Sequence, residues 1–445
     1  MIEMSWLIEP SIAIAVVFSW LLRLRPACQP NPIPYVMNPD SARLCLSLVV
    51  KNESHQIDRC LASARDWVDE MVVLDTGSTD DTVEKARAYG ARVEFFDWCN
   101  DFAAARNAAL THIAADWVLV LDADEWLLPD AGPAIRAAIA EPDQLVVNLV
   151  RREIGAVQSP YSLVSRLFRR HPEVKFDRPY HAIIDDSVIA LLQREPHWKI
   201  ASLAVPAIDH DGYRLDRIAS ESKAERARAA MEQFWQAHPD DPYVCSKLGA
   251  LLIDLGEVDQ GCQLLKTGLK RAERERLIEV LYELHYHLAI FYSQQHQLDL
   301  ARAHYRAALK QPVLPILTLG SLINLGGLYR QQGDLRSACD CYQKATRIDP
   351  DFAIAHYSLG STLRAMNRTG EAITHYQRAI ELDPQKPEFY QNLGAAFLKG
   401  GNVPESLKAF KRAIALYETQ QSPEADRIRQ TLQELGFDPD RPPGQ

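Results

Sequence analysis

The sequence predicts an α/β domain built on a mostly parallel sheet, followed by an all-α repeat solenoid. Two observations carry this. Between residues 44 and 148, short apolar runs alternate with helical stretches, the pattern of βαβ units. Between residues 241 and 419, Leu-Gly pairs, small residues and aromatics return at a fixed interval, the mark of stacked two-helix units.

In the first region, residues 44–50, 71–74, 93–96 and 117–121 are the strand candidates, with helices expected at 56–67, 80–89 and 102–114. Ser78-Thr79-Asp80 and Asn100-Asp101 supply capping oxygens ahead of the second and third helices, as helix starts require. Residues 145–150 give a further strand. The stretch 151–213 is mixed, with strand-like pieces at 163–168 and 183–184.

In the second region, Leu325-Gly326, Leu359-Gly360 and Leu393-Gly394 recur every 34 residues. Ala338, Tyr342 and Ala345 are matched by Ala372, Tyr376 and Ala379, and more loosely by Ser406, Phe410 and Ala413. Asp349-Pro350 returns as Asp383-Pro384. This is the tetratricopeptide signature. Two degenerate units precede these, one with Leu288-Ala289, Ala301, Tyr305 and Ala308, the other with Leu248-Gly249, Gly261, Leu265 and Gly268. About five repeats result. The expected boundaries are an apolar segment and Pro-rich linker at 1–40, the α/β domain at 41–235, the repeats at 240–420 and a polar tail at 421–445.

A chain of 445 residues exceeds one ordinary core and calls for two domains. Its net charge of -10 argues against a broad nucleic-acid surface, which needs clustered Lys and Arg. The eight cysteines form no CxxC pair, so free thiols in a reducing compartment are expected. The apolar run 11–22 is too short for a bilayer core, which needs about 20 residues. Glu3 and Glu9 precede it, and Arg23 and Arg25 follow, opposite to a secretory signal and favouring a cytoplasmic main body. A weak anchor on the cytoplasmic membrane face, a disordered extension and a wrongly chosen start stay open.

Ligands of an open parallel sheet bind beyond the carboxyl ends of its strands. There the sequence places Lys51-Asn52-Glu53, Asp75-Thr76-Gly77-Ser78-Thr79-Asp80 and Asp122-Ala123-Asp124-Glu125. Carboxylates gathered without basic partners repel one another. A bound Mg²⁺ or Mn²⁺ would stabilise them. Read as an extended segment, Asp122 and Asp124 share a face, one suited to a sugar hydroxyl and the other to the metal. The competing reading is a solvated loop after a buried strand.

Four segments then carry a resemblance: VVKNES at 49–54, VVLDTGSTDDT at 72–82, NDFAAARNAAL at 100–110 and WVLVLDADEWL at 117–127. In order and spacing they resemble the motifs of family 2 glycosyltransferases, in particular the bacterial branch with tetratricopeptide repeats behind the transferase domain. The resemblance covers about 44–213. It implies a GT-A fold, a nucleotide-sugar donor such as a UDP-sugar, a divalent metal and inversion at the anomeric carbon. It implies that Asn52 and Glu53 lie in the first nucleotide loop and Asp75 near the nucleoside. Arg106 and Asn107 would face the donor, Asp122 the ribose and Asp124 the metal, with His210 completing the metal shell. Thr76 and Ala182 stand where relatives often carry an acid.

For the base that inversion requires, Asp185 and His181 are the candidates, beside Asp186. A surface turn and a structural histidine are the alternatives. Arg106 has Asp101 as an alternative partner to phosphate, and Trp126 is either core or a sugar platform. Two functional readings follow. One is an active transferase whose repeats recruit a protein, peptide or glycan acceptor, or a protein partner. The other is an inert scaffold, supported only by Ala182. The repeats also suit self-association into a homo-oligomer.

Overall fold

The computed structural model describes residues 42–156, 160–180, 182–211 and 221–437. His181 and the apolar run 11–22 lie outside them. β1 (Leu44–Val50), β2 (Glu70–Asp75), β3 (Arg92–Phe95) and β4 (Trp117–Val120) alternate with α1 (Ile57–Ala64), α2 (Thr82–Ala88) and α3 (Phe102–Thr111). β4 is buried throughout, and β1 and β2 nearly so. This is why the three read as continuous apolar runs rather than alternating ones. Asp101 caps α3, its carboxylate accepting the Ala104 N–H.

The sheet has the order β3-β2-β1-β4-β7-β6-β8-β5. The first four strands are parallel. Beyond β4 the sheet is mixed. β7 (Tyr161–Arg169) runs antiparallel to β4 and to β6 (Gln144–Glu153), and β8 (Lys199–His210) runs parallel to β6. The edge strand β5 (Glu125–Leu127) runs antiparallel to β8. The sequence pattern missed β5 and β8, and it missed α4 (Ala131–Ile139) and α5 (Asp185–Arg194). β5 is too short to show a period, and β8 is largely exposed along its first half, so no apolar run marks it.

One constraint shapes this half. β4 and β5 are joined by residues 121–124, tightened by an Asp122 C=O to Glu125 N–H bond of 2.9 Å. They nevertheless stand four places apart in the strand order. In a flat sheet that is roughly 19 Å, beyond the reach of so short a turn. The strands from β4 to β5 must therefore curl into a half-barrel, bringing the end of β8 beside the end of β4.

Helix α6 (Glu221–Ala237) leads into five helix pairs: α7 (Pro242–Asp254) with α8 (Val258–Glu275), α9 (Ile278–Gln294) with α10 (Leu298–Ala308), α11 (Leu319–Gln331) with α12 (Leu335–Ile348), α13 (Ala353–Ala365) with α14 (Thr369–Leu382), and α15 (Pro387–Lys399) with α16 (Val403–Thr419). The expected polar tail holds a further helix, α17 (Glu424–Glu434), whose Ala425, Ile428 and Leu432 pack on Phe410, Ala413 and Ile414. In the last three repeats the glycine meets the aromatic. A Cβ on Gly326, Gly360 or Gly394 would touch Tyr342, Tyr376 or Phe410 at 2.7, 3.0 and 3.0 Å. Among the described residues no helix is long and apolar enough to cross a membrane.

Sheet and repeats belong to one compact unit, Pro39–Gln445. Buried Arg178 joins them: it pairs with Asp186 at 2.9 Å and with Asp241, the N-cap of α7, at 2.8 Å. Its guanidinium also lies over the rings of Phe234 and Tyr243. Farther along, the Tyr161 hydroxyl donates to Asp349 at 2.8 Å.

The glycines of the first repeat give a sharp expectation. A Cβ on Gly261 would lie 2.5 Å from the Gly249 carbonyl and 3.0 Å from the Ile253 N–H, both backbone. Gly261→Ala should cost about 1–3 kcal/mol and lower the thermal midpoint followed by helical circular dichroism. Gly327→Ala meets nothing nearer than the Tyr342 hydroxyl at 3.9 Å. It should be neutral or gain up to about 1 kcal/mol from helix propensity. The reverse order of midpoints would contradict this packing.

Candidate functional site

The turn after β4 sets the site. Asp122 and Asp124 were expected on one face of an extended segment. The 2.9 Å turn bond instead sends the two carboxylates to different partners. Asp122 sits between two arginines: Arg106 Nη2 donates to one oxygen and Arg166 Nη2 to the other, each at 2.8 Å. Asp124 faces His210, with Oδ2 3.5 Å from Nε2.

His210 is the last residue of β8, directly opposite Glu125 in the β5–β8 register. Its Nδ1 lies 2.6 Å from Glu153 Oε2. Glu153 Oε1 accepts from Arg151 Nε at 2.9 Å and from Ser162 at 2.5 Å. Arg151 Nη1 reaches fully buried Glu125 at 2.6 Å, and Glu125 Oε2 accepts the Asp122 N–H at 2.9 Å. The chain of contacts thus returns to its starting turn. Four carboxylates (Asp122, Asp124, Glu125 and Glu153) meet three guanidiniums (Arg106, Arg151 and Arg166). The remaining negative charge is one that a protonated His210 balances. Burial pulls the His210 imidazole down, but its bonds to Asp124 and Glu153 outweigh this and raise its pKa to about 9. Burial likewise opposes charge on Asp122, yet Arg166 and Arg106 hold its carboxyl well below the usual range. The expectation of carboxylates without basic partners is therefore corrected. The cations come from β6, β7 and α3, distant in sequence.

Among the described residues, three buried polar atoms around this site have no hydrogen-bond partner: Asp75 Oδ2, Arg106 Nη1 and Arg166 Nη1. Asp75, at the end of β2 and 2% exposed, accepts the N–H groups of Gly77 and Ser78 at 2.9 Å through its other oxygen. Buried donors and acceptors are nearly always paired. Here they leave an acceptor free at Asp75 and donors free at Arg106 and Arg166.

The other expected residues divide. Asn52 takes a left-handed φ of 56°, which Asn tolerates, and its Oδ1 accepts the Thr79 N–H at 2.7 Å. It fastens the first loop to the second. Glu53 likewise anchors backbone: its N–H donates to Thr82 Oγ1 at 2.8 Å, and its carboxylate accepts from Gln56 at 2.6 Å. Asn107, expected to face the donor, is engaged by backbone. Its amide donates to the Phe176 carbonyl at 2.9 Å and accepts the Phe176 N–H at 2.8 Å, so it braces α3 against the following chain. Arg106 bonds to Asp122 and not to Asp101. Trp126 is core, 8% exposed beneath the Arg59 guanidinium. Asp185 opens α5 rather than lying in a surface turn, and it accepts from Ser165 at 3.3 Å. Burial raises its pKa. Asp186 is taken by Arg178.

Sequence reasoning gave Glu125 no role of its own within its acidic strand end, and it missed Arg151, Glu153 and Arg166. Arg151 and Glu153, two apart on one strand, share a face, and that alternation is the signal that could have found them. Arg152 between them points the other way and grips Asp209 at 2.7 Å through both nitrogens.

The Glycosyl transferase family 2 model matches residues 46–201, and a TPR repeat model matches 326–366 and 360–401. A TPR repeat-containing protein of Synechococcus elongatus is 44% identical over 309 residues, covering 69% of this chain and 76% of that protein. A glycosyltransferase of Rickettsia prowazekii is 40% identical over 198 residues, 42% of this chain and 67% of its own length. Among solved structures, the TPR protein YrrB covers 47% of this chain at 15% identity and a TM-score of 0.38. With four motifs in order, a carboxylate turn leading off the sheet and two relatives matched over most of their length, the chain belongs to the family 2 glycosyltransferases and carries tetratricopeptide repeats behind its transferase domain.

Proposed function

We propose that the enzyme transfers a sugar from a nucleotide-sugar donor, a UDP-sugar, to a protein or glycan acceptor with inversion, and that the repeats recruit the acceptor. The observation that carries this is the set of orphaned buried atoms. Asp75 Oδ2 suits a donor group of the nucleoside. Arg106 Nη1 and Arg166 Nη1 suit the diphosphate oxygens, since guanidinium presents planar donors to phosphate. Asp122 then serves the donor indirectly, by fixing both arginines.

A divalent Mg²⁺ or Mn²⁺ fits beside them. Asp124 Oδ2 and His210 Nε2, 3.5 Å apart, are spaced as two ligands of one ion, which would displace the proton that His210 Nε2 otherwise shares with Asp124 and take over its charge. Glu153 on His210 Nδ1 is the supporting carboxylate that ligating histidines usually have. Among the described residues no group of three His, Cys, Asp or Glu gathers around a metal position. This suits Mg²⁺ and Mn²⁺, which take one or two protein ligands and leave the rest to substrate phosphates and water. When bound, the ion neutralises charge on the departing diphosphate.

The acceptor proton is assigned to Asp185. Burial raises its carboxyl pKa, which makes it a stronger base when ionised, and Ser165 orients it. Arg178 connects the start of α5, through Asp186, to the N-cap of the first repeat. An acceptor held on the repeats would thus approach near Asp185.

Three outcomes test the reading. Donor hydrolysis by the purified chain should require Mn²⁺ or Mg²⁺ and fall at least about 100-fold in Asp124→Ala, while Glu153→Gln weakens Mn²⁺ binding about 10–100-fold; full turnover in chelator would sink the metal assignment. Asp185→Asn should lower kcat about 10²–10⁴-fold with the donor KM unchanged, and wild-type kcat would move the base elsewhere. Asn107→Ala should lower thermal stability by about 1–3 kcal/mol and leave the donor KM unchanged. A raised KM with unchanged stability would return Asn107 to the donor site.

A further inference from the structure

Two helix pairs of the array each enclose a pair of imidazoles. His285 on α9 faces His304 on α10, Nδ1 to Nδ1 at 3.0 Å. His356 on α13 faces His375 on α14 at 3.1 Å. Both pairs are separated by 19 residues, and their ring centroids lie 5.2 and 5.3 Å apart. The fold does not demand histidine there. One repeat before the second pair, 34 residues earlier, the same positions hold Leu322 and Cys341.

We propose that the His356–His375 pair is a binding site for a borderline divalent transition ion such as Zn²⁺ or Ni²⁺, clipped between the two helices of the fourth repeat, and that the His285–His304 pair is not. Spacing is the first reason. Two nitrogens about 2.05 Å from one ion lie about 2.9 Å apart at a right angle and about 3.3 Å apart at the tetrahedral angle. The observed 3.1 Å falls between them.

Tautomer is the second reason. His356 Nε2 lies 3.0 Å from the Pro350 carbonyl, an acceptor only, so this nitrogen carries the proton. The Nδ1 lone pair is thereby aimed at His375, as a carbonyl orients a metal-binding histidine. Without metal, His375 Nδ1–H donates to that lone pair; an ion taking its place requires this proton to sit on Nε2 instead, so that His375 stays neutral and offers Nδ1 as a ligand.

Charge separates the two pairs. Asp349 and Asp351 act on His356, and Glu371 acts on His375. The cation facing this pair, Arg378, is engaged by Asp351 at 2.6 Å and Glu381 at 3.1 Å. Glu371 stands one turn before His375 on the same helix face. It bonds Arg368 through both oxygens at 2.7 Å. Around His304 the charged neighbours are Lys266 and Glu273, which cancel, and the Tyr292 ring stacks on the imidazole at 5.3 Å. The first pair therefore offers a cation no net attraction. Imidazole nitrogen favours Zn²⁺ and Ni²⁺ over the hard ions suited to Asp124.

Thermal unfolding of the full chain with and without ZnCl₂ at pH 7.5 tests this, in wild type, His375→Gln and His285→Gln. The wild-type midpoint should rise by several degrees with Zn²⁺. His285→Gln should keep the rise and His375→Gln should lose it. Zn²⁺ held at Asp124 and His210 is common to all three chains and cancels in the comparison. His356→Gln, measured by calorimetric Zn²⁺ titration, gives the same test if His375→Gln does not fold. No rise in wild type, an equal rise in wild type and His375→Gln, or loss in His285→Gln as well, would each overturn the assignment.

Discussion

Three rungs of antiparallel sheet between β5 and β8 hold the transferase site together. They pair Glu125 with His210, Trp126 with Asp209 and Leu127 with Ile208. Because β5 leaves β4 through a four-residue turn, these rungs oblige the second half of the sheet to curl. The curl makes the histidine at residue 210 a neighbour of the carboxylate at 124. A register slip of one residue would turn His210 to the opposite face and leave Asp124 with no nitrogen partner.

The same closure creates an electrostatic problem, solved within the chain. Bringing Asp122, Asp124, Glu125 and Glu153 into one partly buried region would be costly without compensation. Arg151 lies between two of them, and Arg106 and Arg166 grip a third. The arginines are over-supplied with donors, and the leftover Nη1 groups of Arg106 and Arg166 are where an incoming anion gains most. On the proposed reading, stability of the site and affinity for the donor's diphosphate draw on the same residues. The link through Arg178 extends this logic to the array. Its backbone is held at φ 74°, a strained value for a side-chain-bearing residue, by ion pairs to both Asp186 and Asp241.

The parallel half of the sheet and the repeats were legible because their signals are local. β1, β2 and β4 are apolar runs closed by polar turns, and the repeats announce themselves at Leu359-Gly360 and Leu393-Gly394. Asp124 and His210 were singled out through motif likeness, and the fold brings them within 3.5 Å of each other. The antiparallel half was not. β5 has three residues, and β8 exposes much of its length. Arg166 looks like any cation on a strand until the curl sets it against Asp122. The partner of Asn107 was hidden for the converse reason: its place beside Arg106 in the helix motif suggests a donor contact, whereas helical geometry turns its amide toward Phe176. Long-range pairings of this kind leave no mark on either partner's neighbourhood.

The central claim is that Asp124 and His210 act as a unit on one ion. The most direct measurement is a double-mutant cycle: Mn²⁺ affinity by calorimetry in the presence of UDP, for wild type, Asp124→Asn, His210→Gln and the double variant. Ligands of one ion couple strongly, so the double variant should bind Mn²⁺ little worse than the weaker single variant. Losses that simply add would place the two residues on separate tasks and contradict the shared ion.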